Sequence, residues 1–281
     1  AENAELMQFI ERTIPPMNIQ NAEQLLSEAK KIFDDHGVVF FLRQGTCLGA
    51  VRDQALIPWD DDLDLGSIIG MHGFTDEAIE PVVKAFRANG SYVEVIPEGL
   101  YTSVKIMKYR IRIDWQCYRV VKGTIAHYPG VPFPVSLFTE LEEIDFNGGK
   151  YCVPSPPADY LRYKYGPNWV TPKQAGYEKD VLDNMPKGTV PGRAGWLKQF
   201  LAVHFSPRHT ARLLVLDDAG IPVREANVLI AGMSQTRTDR NGYAKFYLPG
   251  PDEYALSIKV NGSEEVLYEE ALEPGKTYIY R

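Results

Sequence analysis

Residues 40–66 read FFLRQGTCLGAVRDQALIPWDDDLDLG, and the fold turns on this stretch. If residues 59–65 are extended, side chains alternate, so Asp60, Asp62 and Asp64 share one face while Trp59, Leu63 and Leu65 share the other. Only Asp61 breaks the pattern. Residues i and i+2 of a strand lie ~6.7 Å apart, and two carboxylates at that distance repel by roughly 2–3 kcal/mol at an effective dielectric of about 20. Such crowding on a half-buried strand calls for a cation. Oxygen-only ligands select a hard ion, and Mg²⁺ is usually held by one or two carboxylates plus substrate phosphates. A solvated acidic loop is the plain alternative, and the apolar back face argues against it. An EF-hand fails, because its sixth and twelfth positions, Gly and Glu, would here be Leu65 and Met71.

Upstream, an apolar run over residues 38–42 leads to Gly45-Thr46 and then to CLGAVR, residues 47–52. A strand entering a Gly-Thr turn and then a helix leaves backbone N–H groups free for phosphate oxygens. Gly-Thr is also an ordinary turn. Its weight comes from the D-x-D downstream: a phosphate cradle and paired carboxylates are two halves of a metal-dependent phosphoryl or nucleotidyl transfer site.

GTCLGAVR followed by IPWDDDLDLG resembles the signature of the LicD family, which includes fukutin and fukutin-related protein. Ile113-Asp114-Trp115 resembles the family's later strand with the third carboxylate, and Tyr160-Leu161 with 165–169 (YGPNW) resembles its YL…YG segment. The likeness covers residues 21–172, with departures at Asp53, where a basic residue is common, and after Leu65. It implies a nucleotidyltransferase superfold and transfer of a substituted phosphate, such as phosphocholine or an alditol phosphate, from a CDP- or CMP-activated donor to a sugar hydroxyl of a cell-surface glycan, free or lipid-linked. In that scheme Asp62, Asp64 and Asp114 are the metal and catalytic residues, and the ion is Mg²⁺, with Mn²⁺ as substitute. Gly45, Thr46, Asp60, Arg52 and Arg112 bind substrate. Two rivals stand beside it: a true nucleotidyltransferase moving NMP to a small substrate, and a catalytically inactive glycan-binding or scaffold protein.

The chain has 281 residues and a formal net charge of −7, which provides no basic field for nucleic acid. Cys47, Cys117 and Cys152 are odd in number and widely spaced, as suits free thiols in a reducing compartment. No apolar run reaches the length of a membrane span and no signal peptide is visible, so the expected location is cytoplasmic, or peripheral at a membrane. The first residues, AENAEL, lack a methionine, so an upstream domain or anchor stays open.

Amphipathic helices are expected over 21–37 and 75–89, and alternating strands over 92–96, 102–107 and 110–121. On the last, Arg110, Arg112 and Asp114 share a face, read either as a salt-bridged sheet face or as a ligand among phosphate-binding guanidinium groups. His127 lies in a Pro-rich loop and is a candidate general base. Asn147-Gly148 marks a hairpin. The aromatics of 160–169 read equally as base-stacking or core residues. Residues 184–210 read as a linker with one helix over 196–205. From Ala211 short strands recur between turn signals at 218–220, 241–242, 249–250 and 261–262, which describes a small antiparallel sandwich. Its D-x-x-G-x-P-V and T-D-x-N-G patterns resemble carboxypeptidase-regulatory-like, transthyretin-like modules, whose motif residues specify turns and core and imply no catalysis. The expected architecture is therefore an α+β nucleotidyltransferase-like mixed sheet with helices over 1–183, a linker over 184–210, and an all-β sandwich over 211–281.

Overall fold

The computed structural model describes residues 16–97, 99–127, 131–184, 209–248 and 250–281. Its described residues divide into two compact units, the first drawn from positions 16–126 and 133–174 and the second from 127–132 and 175–281. The helix expected over 196–205 lies outside the described residues.

The first unit is built on helices α1 (Ile19–Asp35), α2 (Gln44–Arg52), α3 (Ile79–Ala88) and α4 (Pro157–Tyr165). Its strands are β1 (Phe41–Leu42), β2 (Asp62–Ile68), β3 (Tyr92–Pro97), β4 (Tyr101–Lys108), β5 (Ile111–Tyr118), β8 (Leu141–Phe146) and β9 (Gly149–Pro154). A separate two-stranded ribbon is made of β6 (Thr124–His127) and β7 (Val131–Pro134). Seven strands form one mixed sheet in the order β3-β4-β5-β2-β1-β9-β8. β2 runs parallel to β5, and β1 parallel to β9; the other neighbours are antiparallel.

α1 starts two residues earlier than its apolar pattern suggests, because the Asn18 side chain accepts the Asn21 N–H at 3.0 Å and caps it. Its stripe of Ala22, Leu25, Leu26, Ala29 and Phe33 is buried. Phe33 meets Trp115 at a ring distance of 4.9 Å and Phe86 of α3 at 5.5 Å, so α1 packs on the apolar face of the sheet with α3 beside it. Trp115 in turn donates to the Ser67 hydroxyl, which donates to the Val39 carbonyl. That bond satisfies a backbone group that the expected strand 38–42 would have paired in a ladder; the observed strand is only Phe41–Leu42. Asn147 (φ 47°) and Gly148 (φ 69°) both take left-handed angles, the geometry of a two-residue hairpin turn. β2 is buried along its whole length, including Asp62 and Asp64. Gly66 is required there: a Cβ would lie 2.7 Å from the Phe41 ring.

In the second unit, β10 (Thr210–Val215), β13 (Tyr243–Tyr247) and β16 (Thr277–Tyr280) make one sheet, and β11 (Asn227–Ile230), β12 (Ser234–Arg237), β14 (Asp252–Val260) and β15 (Ser263–Leu272) another. Both sheets feed one apolar cluster that includes Leu213, Val228, Phe246 and Ile258. The motif aspartates act in turns, as their pattern implies: Asp217 accepts from the Ala219 and Ile221 N–H groups, and Asp239 from those of Asn241 and Tyr243. Helix α5 (Tyr177–Asp183), inside the range the sequence reading gave to the first domain, packs here through Leu182 beside Ala231 and Ala255 and through a Lys179–Glu264 ion pair. Cys47, Cys117 and Cys152 are free thiols. Among the described residues no helix is long and apolar enough to cross a membrane.

Glu28 ties α1 to the β4–β5 turn. It accepts from Lys108 at 2.6 Å, Tyr109 at 2.9 Å, Asn89 at 2.9 Å and Gln24 at 3.0 Å. Partial burial alone would raise its pKa, but these donors outweigh it and bring the carboxyl from 4.5 down to about 2. A depressed carboxylate stabilises the fold above its unfolded pKa and loses that contribution as pH falls through the folded value. The urea midpoint of wild type should exceed that of Glu28→Gln at pH 7, and the gap should close between pH 4.5 and 2. A gap that stays constant over that range would show the charge of Glu28 to be irrelevant.

Candidate active site

The site is assembled where β1 hands over to α2 beside the first half of β2. Parallel pairing of β2 and β5 places Asp62 opposite Arg112 and Asp64 opposite Asp114. Residues distant in sequence thus become sheet neighbours, and Asp62, Asp64 and Asp114 gather on one face, each with little exposure. Asp60 is not on that strand face, contrary to the alternation of residues 59–65. Its N–H bonds to the Ile57 carbonyl and its own carbonyl takes the Met17 N–H, so the chain turns there and β2 begins only at Asp62. The Asp60 side chain still reaches the site: Asp60, Asp61 and Asp62 each bring a carboxylate oxygen within 4.8 Å of the others.

Gly45 and Thr46 lie inside the first turn of α2 rather than in a turn before it. Their free groups meet Asp64: the Gly45 N–H donates to Oδ2 at 3.2 Å, and the Thr46 hydroxyl accepts the Asp64 backbone N–H at 2.8 Å. Gln44, at φ 41°, adds its side-chain amide to Oδ1 at 3.1 Å, and its backbone N–H is received by the Tyr160 hydroxyl at 2.9 Å. Tyr160 is fully buried against Phe133 and Phe138, a core aromatic rather than a stacking platform. A Cβ at Gly45 would stand 2.3 Å from Asp60 Oδ2, so any larger residue there forces the Asp60 carboxylate to shift.

Two arginines divide the carboxylates between them. Arg43, 2% exposed, bridges Asp64 Oδ1 at 2.9 Å and donates to the carbonyls of Leu65 and Asp114 at 2.9 and 3.2 Å. Arg112 holds Asp62 Oδ2 at 2.6 Å, Asp61 at 3.4 Å and Asp114 Oδ2 at 3.6 Å. Burial, reinforced by neighbouring carboxylates, pushes Asp60 and Asp62 well above the ordinary carboxylate range and Asp64 above it, despite Arg112 and Arg43. Burial would raise Asp114 as well, yet Arg112, Arg43 and Lys105 outweigh it and hold this carboxyl low. The centre therefore carries an excess of negative charge that a proton or a cation relieves. Buried and without hydrogen-bond partners are Asp60 Oδ2 and Asp114 Oδ1. Unpaired acceptors of this kind cost about 1–3 kcal/mol each.

The other expected residues fall out as follows. Arg52, at the end of α2, is forked onto its neighbour Asp53 at 2.6 and 2.8 Å. His127 is buried on β6, not in a loop. Arg43, Gln44, Lys105 and the buried Lys164, whose charge acts on Asp64, were absent from the sequence reading. One signal was available: a charged residue closing an apolar run, as Arg43 closes 38–42, needs a buried partner.

The family model described as LicD/FKTN/FKRP, nucleotidyltransferase domain, matches residues 37–156, which include every carboxylate of the centre. Ribitol-5-phosphate transferase FKTN of Mus musculus is 43% identical over 66 residues, 23% of this chain and 14% of that protein. Ribitol 5-phosphate transferase FKRP of Homo sapiens is 26% identical over 167 residues, 57% of this chain and 34% of that protein. The chain thus spans only 14% to 34% of these relatives' own lengths. A crystal structure of ANT(2")-Ia in complex with adenylyl-2"-tobramycin aligns at a TM-score of 0.34 and 16% identity, over 53% of this chain and 80% of that one, too loosely to argue from.

The Gly45–Asp60 approach is testable by a double-mutant cycle. Gly45→Ala should destabilise by about 1–3 kcal/mol, the usual cost of overpacking, and Asp60→Ala should remove most of that penalty. Simple additivity of the two in chemical denaturation would mean that the Cβ clashes with something other than Asp60.

Proposed function

We propose that this chain, a LicD/fukutin-type protein through its domain at residues 37–156, transfers a substituted phosphate from a CDP- or CMP-activated donor to a sugar hydroxyl of a glycan. The observation that carries the reading is the β2–β5 register, which converts D-x-D and a distant aspartate into one buried carboxylate centre. The centre offers only oxygen donors, and two of its buried acceptor atoms, Asp60 Oδ2 and Asp114 Oδ1, have no hydrogen-bond partner, which fits a hard divalent ion such as Mg²⁺ or Mn²⁺. Asp62, Asp64 and Asp114 are the proposed ligands, with Asp60 and Asp61, whose carboxylate oxygens converge with that of Asp62 within 4.8 Å, beside them. Such an ion, when bound, neutralises charge on the donor's diphosphate. The mammalian relatives are named as ribitol-phosphate transferases, which makes an alditol phosphate the first donor group to try.

The chain's own residues supply orientation and proton handling. Gly45, Gln44 and Arg43 fix the Asp64 carboxylate in one pose and Thr46 holds the Asp64 backbone N–H, so the centre needs little reorganisation when the donor arrives. Arg112 offers a planar fork suited to phosphate oxygens. Asp114, kept ionised by its cationic neighbours, has one oxygen, Oδ1, free of partners; it completes the ion's ligand set or accepts the attacking hydroxyl's proton, one role excluding the other at that atom. The sugar oxygen forms the new P–O bond, the bond to CMP breaks, and CMP leaves.

Purified protein given Mg²⁺, a saccharide acceptor and CDP-ribitol or CDP-choline in turn should release CMP with phosphoester formed on the acceptor. Release of pyrophosphate from a nucleoside triphosphate instead, with NMP on the acceptor, would establish the nucleotidyltransferase rival. Asp62→Asn and Asp64→Asn should each lower turnover about 10²- to 10³-fold, as loss of one charge-stabilising group does. Their melting temperatures at pH 7 should not fall, since ionised Asp62 and Asp64 are disfavoured by burial. Near wild-type turnover by either variant would remove that residue from the site.

A further inference from the structure

We propose that Arg112 is the resident counter-ion of the carboxylate centre: it yields Asp62 and Asp114 to an incoming divalent cation and turns its fork to the donor's phosphate, so that the ion loads first. This rests on the metal reading above and adds an order of assembly.

The two arginines of the site are held differently. Arg43 spends two of its donors on backbone carbonyls, of Leu65 and Asp114, and its side chain is 3% exposed. Carbonyls stay where the sheet puts them, so Arg43 is pinned whatever the carboxylates do. Among the described residues Arg112 bonds only to carboxylates, those of Asp61, Asp62 and Asp114, and its side chain is 13% exposed. Two of those three are the residues that would ligate the ion, and a carboxylate oxygen closed by a guanidinium fork at 2.6 Å is not open to a second cation. The fork takes Oδ2 of Asp62 and faces Oδ2 of Asp114 while Asp114 Oδ1 stays open, so ion and arginine compete for the same two carboxylate groups and their charge. Once displaced, a guanidinium this close to Asp114 loses its partners at the moment when a diphosphate is the nearest anion, and carboxylate and phosphate present the fork with the same bidentate geometry. Removing the competitor should strengthen ion binding while weakening donor binding. A purely structural arginine would not split the two effects, because its loss would damage both.

Calorimetric titration of Mn²⁺ into wild type, Arg112→Met and Arg112→Lys, followed by titration of inorganic pyrophosphate into each ion-loaded protein, reads both steps without turnover. The expected result is ion affinity at least tenfold higher in Arg112→Met than in wild type, with pyrophosphate affinity at least tenfold lower. Arg112→Lys, which keeps a charge without the fork, should bind the ion like wild type and pyrophosphate more weakly; it carries the test if the Met variant does not fold. Unchanged or weaker ion binding in a folded Arg112→Met overturns the exchange while leaving the metal site standing. If wild type and the folded variants all bind no ion, the metal reading itself fails and the exchange falls with it.

Discussion

Burying a group of carboxylates beside one another is the constraint around which the first unit is arranged. Asp60, Asp61, Asp62, Asp64 and Asp114 would repel strongly in a site with this little water. The unit answers with Arg43 and Arg112, with the charges of Lys105 and Lys164, and with the N-terminal turn of α2 aimed at Asp64. The compensation is incomplete, as the raised pKa values of Asp60, Asp62 and Asp64 register. An unrelieved negative centre is poor economy for a structural element and apt for one that binds a cation.

The same constraint explains features that otherwise look incidental. Gly45 keeps Asp60 within reach, and Gly66 lets the Phe41 ring lie against the strand that carries the carboxylates. On the opposite face Leu63, Leu65 and Trp115 are fully buried, Trp115 against Phe33 of α1, so β2 is buried from both sides and its aspartates cannot relax into solvent. Strain of this sort is held by the rest of the fold, here by a wide sheet and a core rich in aromatic rings.

The second unit offers a contrast. Its polar motif residues, Asp217 and Asp239, close turns through neighbouring backbone N–H groups, and its buried apolar residues meet in one main cluster and a smaller one around Leu182, Ala231 and Ala255. Nothing comparable to the carboxylate centre occurs among its described residues. The chemistry proposed for the chain therefore draws on the first unit, and the second is described by its own core and turns.

What the sequence alone determined is local. The apolar stripe of α1, the alternation of β4 and β5, the Asn147-Gly148 hairpin and the pairing of Asp62 with Asp64 all follow from periods of 3.6 or 2 and from turn chemistry, which a short window contains. The carboxylates and the family resemblance were legible for the same reason. Tertiary structure decided what depends on contacts between distant segments: that Asp64 faces Asp114, that Asp60 sits in a turn held by Met17, that Gly45 and Thr46 serve Asp64, and that Arg43 is part of the centre. No window of sequence encodes these, because strand register and the partner of a buried charge are set by how the whole sheet closes, and each charge takes the nearest compensating group that closure supplies.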